Sequence, residues 1–344
     1  MMRAALRLCL VVLAIAGAAK AEPTYRFLPF DQLDGWAADD HAAALTVFLK
    51  TCPDLTDPDW RAVCALGVSA ADARAYFEHL FQPVLIEDGR DMRFTGYFEP
   101  EIDGSLTQTP RFRYPIYRLP EGIPQGQPWL TRREIEESGI LEGRGLEIAW
   151  LADPVDRFFL QVQGSGRIHL SDGGVLRVGF AGKNGYDYAS IGRDLVRRGA
   201  FQTHQVSATA IRNWAKQYPA AGREAMWANP SYVFFRPLRD MSADEGPLGA
   251  MNRPLTALRS VAVDASVTPL GAPVWVEMAG SEPYHRLMVA QDTGTAVSGA
   301  QRADIFVGSG SAAGREAANI RHGGRMIVLM PIQTALSLPA EVDQ

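Results

Sequence analysis

Two kinds of hydrophobic spacing divide the chain. Between residues 22 and 92, apolar side chains recur every three or four positions in DDHAAALTVFLK, DPDWRAVCALG and ADARAYFEHLF. That is the spacing of a helix with one buried face, so this region reads as mainly helical. Asp39 or Asp40 and Ser69 are its candidate N-caps. From Arg93 the spacing changes. RFTGYFEPEIDGS, YPIYRLP, LEIAWLAD, RFFLQVQGSGRIHL and VLRVGFAG are short apolar runs bounded by Gly, Pro and Asp, which predicts strands. One helix interrupts them, TRREIEESG, where Thr131 and Glu134 form a capping-box pattern. Helical spacing returns over residues 186–227. Strands resume at SYVFFRPL and, after a polar stretch at 239–256, continue through SVAV, APVWVEM, RLMVAQ, DIFVG and RMIVLMP.

Many short strands with few helical crossovers argue against a doubly wound sheet and for barrels or sandwiches. The change of character near 93–105, reversed near 226–240, predicts a middle domain inserted into an outer one. Residues 22–104 and 226–344 form the outer domain, and 105–225 the inserted one.

Composition narrows the class without deciding it. The chain has 344 residues, 47% of them hydrophobic, enough to bury a substantial core. Its net charge of −5 gives no basic face for nucleic acid. Residues 1–21 read as a signal peptide: Arg3, an apolar run from Ala4 to Ala18, then Ala19-Lys20-Ala21 before Glu22. The run is short for a membrane span, so a chain exported to an oxidising compartment is expected. Cys9 lies inside the run, leaving Cys52 and Cys64, which either bridge or stay as two buried thiols. Two cysteines without clustered histidines make a poor zinc set.

Three of the late strands carry an aspartate at or near one end. Asp264 follows VAV, Asp292 follows LMVAQ, and Asp304 precedes IFVG. Each could simply organise a turn through its own side chain. Three in one β-rich segment also fit loops converging on a site, as hard-cation ligands or as acid catalysts. A general acid must stay protonated near neutrality, which requires burial or neighbouring carboxylates. Asp304, set between Ala303 and a wholly apolar run, fits that need best.

Other motifs weigh less. Gly308-Ser-Gly310-Ser-Ala-Ala-Gly314 has the wrong glycine spacing for a dinucleotide turn and reads as a tight strand-to-helix turn. Ser165 lacks the G-x-S-x-G context of a serine nucleophile. Gln163-Gly164-Ser165-Gly166 instead offers backbone and amide groups to a polar ligand, and Lys183-Asn184-Gly185-Tyr186 is a turn that could do likewise. Aromatics beside these turns, including Tyr97, suit a glycan, although most aromatics belong to cores.

Taken together, FTGYFEPEIDGS, FLQVQGSGRIHL, FAGKNGYDYASIG, NPSYVFFRPL, GPLGA and the three-aspartate segment resemble the membrane-bound lytic murein transglycosylase A family. The resemblance implies a mainly β fold with helices: a double-psi β-barrel built from both ends of the chain, a second barrel-like domain inserted in it, and a groove between them. It implies cleavage between N-acetylmuramic acid and N-acetylglucosamine without water, leaving a 1,6-anhydromuramoyl end. It implies that Asp304 is the single acid and base, Asp292 its neighbour, and Asp264 a holder of loops. Tyr97, Gln163, Gly164, Ser165 and Lys183 are the expected glycan contacts. No cofactor or metal is called for. The implied partner is the glycan strand, with wall-remodelling complexes as further partners and a monomer as the working form. The implied location is the periplasm, at the outer membrane; the missing acylated cysteine departs from the lipoproteins common in the family. Two rivals remain. One is a water-using murein hydrolase with Glu99 or Asp292 as second carboxylate, and the other is a non-catalytic murein-binding scaffold.

Overall fold

The computed structural model describes residues 22–124, 126–239, 241–280 and 284–339. The expected signal segment, 1–21, lies outside the described residues.

The N-terminal region opens with a short strand, β1 (Thr24–Phe27), before helices α1 (His41–Thr51), α2 (Pro58–Gly67) and α3 (Ala73–Leu80). Asp40 caps α1 by accepting from Ala43 N at 3.0 Å. The cap of α3 is Asp72, accepting from Ala75 N, and not Ser69. The region is also less helical than the spacing predicts. FQPVLIE forms β2 (Phe81–Glu87), and RFTGYFE follows as β3 (Arg93–Glu99). Consecutive apolar residues leave no face for water, so such a run suits a strand covered on both sides.

A single residue, Pro100, separates β3 from β4 (Glu101–Ser105), where a second sheet begins. It continues with β5 (Tyr114–Tyr117), helix α4 (Arg132–Ser138), β6 (Glu147–Leu151), helix α5 (Pro154–Gln163), β7 (Gly166–Leu170) and β8 (Val175–Lys183). The predicted capping box of α4 is present, with both Thr131 and Glu134 bonding back. Helix α5 corrects the reading of RFFLQVQ as a strand. Asp153 accepts from Val155 N at 2.8 Å and Pro154 opens the first turn. Val155, Phe158 and Phe159 then bury one helical face. Helices α6 (Ile191–Arg197), α7 (Ala208–Gln217) and α8 (Pro219–Trp227) pack against it before β9 (Val233–Leu238) closes the excursion. The six strands order as β5-β6-β4-β7-β8-β9. The second sheet therefore spans residues 101–238, including strands on either side of 105–225.

The chain then returns to the first sheet with β10 (Ser260–Val263), β11 (Pro273–Met278), β12 (Tyr284–Thr293), β13 (Arg302–Ser309), helix α9 (Gly310–Asn319), β14 (Arg321–His322), β15 (Gly324–Pro331) and helix α10 (Ile332–Leu336). The order β1-β2-β15-β11-β12-β10-β13-β3-β14 looks open, but β14 and β15 are one run of chain parted by Gly323. That run pairs with β3 at its start and with β11 and β2 along the rest, so it bends the sheet back on itself as a nearly closed six-strand barrel. Parallel pairs β10–β12 and β13–β3 sit among antiparallel ones.

Closure explains the continuous apolar runs. All six residues of β11 are buried. Val274 and Val276 face one cluster with Met288, Ala290 and Ile305. Trp275 faces the other, with Phe48, Phe77 and Trp60 from the N-terminal helices. The helices thus cover one side of the barrel wall. Cys52 and Cys64 are bridged across the end of α1 and α2, a separation of 12 residues. Closing a loop of that size contributes about 3 kcal/mol in the chain-entropy account. Urea unfolding of the oxidised protein and of a Cys52→Ala/Cys64→Ala variant should differ by roughly 2–3 kcal/mol. Equal midpoints would show that the bridge constrains nothing the barrel has not already fixed.

Candidate active site

Pairing register brings the acidic residues together. Ala262 on β10 pairs with Asp292 on β12 and with Asp304 on β13, and Asp304 pairs in turn with Thr95 on β3. Directly paired residues share a face. A row Asp292–Ala262–Asp304–Thr95 therefore crosses four adjacent strands. The alternate residues Val261, Val263, Ala303 and Ile305 point into the apolar cluster, so the row faces away from it. The single methyl of Ala262 leaves room between the two carboxylates, whose strands lie roughly 10 Å apart.

The two acids are held differently. Asp292 accepts three hydrogen bonds: from the Tyr97 hydroxyl at 2.8 Å, from Ala250 N at 2.9 Å and from Thr293 N at 2.9 Å. Burial still lifts its pKa to about 6, against the downward pull of those donors. Asp304 is 22% exposed through the mouth of the groove. The Thr95 hydroxyl donates to one of its oxygens, and Arg302 lies 3.9 Å from the other. Arg302 also donates to the Thr95 hydroxyl at 2.8 Å. Burial raises the pKa of Asp304, and Arg302, Thr95 and Arg93 only partly oppose it. Asp292 thus receives three hydrogen bonds, while Asp304 receives one and lies beside the charge of Arg302. Tyr97, packed 5.4 Å from the Phe306 ring, is raised well above its usual range by burial beside Asp292.

Both aspartates open into a groove of 590 Å³ between the two sheets. Tyr97 and Gly96 line the barrel side. Gln163, Gly164, Ser165, Phe180 and Lys183 line the opposite wall, and residues 247–250 lie along the rim. Gly164 ends α5 in a left-handed conformation with φ of 79°, which turns the chain sharply into β7. Gln163 reaches across to accept from Phe98 N at 3.2 Å, while Lys183 pairs with Asp187 at 3.0 Å. A larger cavity of 1260 Å³ lies among α4, α5 and α8, and none of the expected site residues lines it.

Seven of the eight residues singled out by sequence meet in this groove. Asp264 is not among its lining residues. It organises its own turn, accepting from Ser266 N at 3.0 Å and Ser266 Oγ at 2.6 Å, and ties in the loop before β13 through Gly299 N at 2.7 Å. Asn184 of the Lys183 turn is fully buried and bonds Leu130 O, Pro230 O and Tyr232 N, so it staples the second domain. Sequence reasoning missed Thr95 and Arg302, the direct neighbours of Asp304. The signal was present: Thr95 alternates with Tyr97 along β3, and Arg302 stands two residues before Asp304. It also passed over the polar stretch that supplies Ala250 N.

Known proteins are similar to this chain in sequence and fold. Family models match residues 93–236, as the MltA specific insert domain, and residues 259–330, as the 3D domain. A membrane-bound lytic murein transglycosylase A from Vibrio cholerae is 37% identical over 266 residues, covering 73% of this chain and 70% of the relative. The chain belongs to the lytic murein transglycosylase A family. Its Escherichia coli K12 member is also 37% identical, over 70% of this chain and 66% of its own. Among solved structures of the family, one from Agrobacterium tumefaciens matches with a TM-score of 0.81 at 30% identity, over 91% of this chain and 99% of that one. E. coli MltA with bound chitohexaose matches at 0.73 and 30% identity, over 91% and 96%.

The geometry makes the titration of Asp292 testable. Tyr97→Phe removes one donor that favours the carboxylate, so the pKa of Asp292 should rise above about 6. NMR titration of carbon-labelled aspartate carboxyls reads this directly. An unchanged Asp292 transition would mean that the phenol does not support the ionised form.

Proposed function

We propose that this protein is a lytic murein transglycosylase in which Asp304 is both acid and base. It cleaves the bond between N-acetylmuramic acid and N-acetylglucosamine in peptidoglycan glycan strands. The observation that carries the assignment of Asp304 is the asymmetry of the carboxylates. Asp304 is desolvated with a single hydroxyl donor, while Asp292 holds three donors. This reading takes Asp304 as protonated and Asp292 as ionised in the active form. Asp304 gives its proton to the bridging oxygen as the C1–O bond breaks. Its carboxylate, supported by Thr95 and the charge of Arg302, next accepts the proton of the muramic acid C6 hydroxyl as that oxygen attacks C1. The attacking group belongs to the same sugar, so proximity replaces an activated water. Atoms balance with no water consumed, and the product ends in a 1,6-anhydro ring.

Tyr97, Gln163, Gly164, Ser165 and Lys183 are the groove contacts this reading assigns to the glycan, with the inserted domain supplying the wall opposite the acid. The water-using alternative needs a second carboxylate. Glu99 cannot serve, since it is 0% exposed and paired with two arginines. Asp292 would have to give up bonds it already makes. Relatives carry "membrane-bound" in their names. Among the described residues, no helix is long and apolar enough to cross a membrane. Export by residues 1–21 to the periplasm fits the bridged cysteines and the location of the substrate.

Asp304→Asn keeps the shape and removes the titrating proton, so lysis of murein should fall by about 10²–10⁴-fold. Mass spectrometry of wild-type digests should find anhydromuramoyl ends. Free reducing ends would refute the transglycosylase reading, and full lysis by the variant would refute the role of Asp304.

A further inference from the structure

Glu99, the last residue of β3, is completely buried at 0% exposure. A carboxylate in such a place needs cations and donors around it. It accepts from Arg167 Nε at 2.8 Å, from Arg177 Nη2 at 3.1 Å and from Ser309 Oγ at 2.7 Å. Arg167 on β7 and Arg177 on β8 are paired residues of the second sheet. A side chain of the barrel thus holds two adjacent cations of the inserted domain.

The other N–H groups of these arginines bind neither sheet. Arg167 donates to Ala243 O at 2.7 Å and to Glu245 O at 2.8 Å, and Arg177 donates to Ser242 O at 2.9 Å. All three carbonyls belong to the return segment between β9 and β10. Beyond them the segment lies flush against its surroundings. A Cβ on Gly246 would stand 2.2 Å from Leu255 O, and one on Gly249 would stand 2.5 Å from Gln291 O. Pro247, Leu248 and Gly249 line the groove, and Ala250 N donates to Asp292 at 2.9 Å. A second tether follows at Met251 N, which donates to Gln291 O at 3.3 Å.

We propose that Glu99 is a positioning residue for the reaction: it holds Arg167 and Arg177 so that they fix residues 242–250 along the groove and keep the Ala250 N–H on Asp292. The proposal rests on murein cleavage as the reaction of this groove. Nothing of Glu99 touches the groove itself. Its effect passes through two guanidinium groups and a short backbone segment. The ionisable groups that face Asp292 are Tyr97 from β3 and Asp304 from β13, with Arg302 and Arg93 beyond Asp304. None of them lies in the segment, so loosening it acts on Asp292 in two ways, through greater exposure to water and through the lost amide. Exposure lowers the pKa of Asp292 and loss of the amide donor raises it, so the acid limb of the rate profile moves in the direction of the larger of the two.

The experiment compares Glu99→Gln, Arg167→Lys and the wild type on purified murein. Arg167→Lys keeps a cation beside Glu99 while removing donors to Ala243 O and Glu245 O, and it decides the matter if Glu99→Gln fails to fold. Both variants should raise KM by about tenfold, the equivalent of one lost hydrogen bond. They should lower kcat less and move the acid limb. Folded variants with wild-type KM and an unmoved limb, differing only in melting temperature, would overturn the proposal and leave Glu99 as a structural anchor. Anhydro ends in the wild-type digest keep this question separate, because their absence counts against the functional reading and not against Glu99.

Discussion

A carboxylic acid keeps its proton near neutrality only where water and hydrogen-bond donors are withheld from its ionised form. The site built around Asp304 depends on that constraint. The barrel meets it by closing: one bent run, Arg321–His322 and Gly324–Pro331, pairs with strands at both ends of the sheet order. Closure gives the wall a packed apolar interior and fixes the register that sets Asp304 between Ala262 and Thr95. A one-residue slip would turn the acid into the apolar interior and Ile305 out into the groove. The catalytic environment is thus a property of the pairing as much as of the residue.

The second domain answers a different need. A solvated carboxylate on an open barrel face would titrate as an ordinary aspartate. The inserted sheet, joined to the barrel through Pro100, covers that face and turns it into the wall of a groove. The join is itself charged. Buried Glu99 meets Arg167 and Arg177, and a buried ion pair is costly to build and costlier to break. Such a contact is weak evidence for stability, and it suits a fixed relation between two walls. The same arginines hold the return segment whose amide reaches Asp292.

The two carboxylates show how one residue type is held in two environments. Both are pushed upward by burial. Donor count separates them. Asp292 is supplied by a phenol and two backbone amides, and Asp304 by one hydroxyl that also accepts from Arg302. A second full complement of donors on Asp304 would make it a better carboxylate and a poorer acid. The larger cavity of the inserted domain is lined by Glu136, which Arg157 and Arg132 hold below the usual carboxylate range against its burial.

Much of this was legible along the chain. Apolar spacing gave the helices of the first 80 residues and most strands of the remainder, because side-chain periodicity reports which faces are buried. Motif order gave the family, and the wholly apolar run behind Asp304 marked it as a carboxylate that would be buried, which the raised pKa of Asp304 reflects. Other features depend on contacts between residues far apart in sequence, and no local pattern carries them. FQPVLIE became a strand because the closed barrel and the N-terminal helices cover both its faces. RFFLQVQ became a helix because Asp153 caps it and its apolar side meets α6–α8. Thr95 and Arg302 became neighbours of Asp304 only through the pairing of β3 with β13, and Ala250 N reached Asp292 only through the return segment. The sequence by itself determined which residues could be acid, neighbour and glycan contact. Tertiary structure decided how each aspartate is desolvated and how many donors it receives, because strands far apart in sequence are brought together only by register and closure.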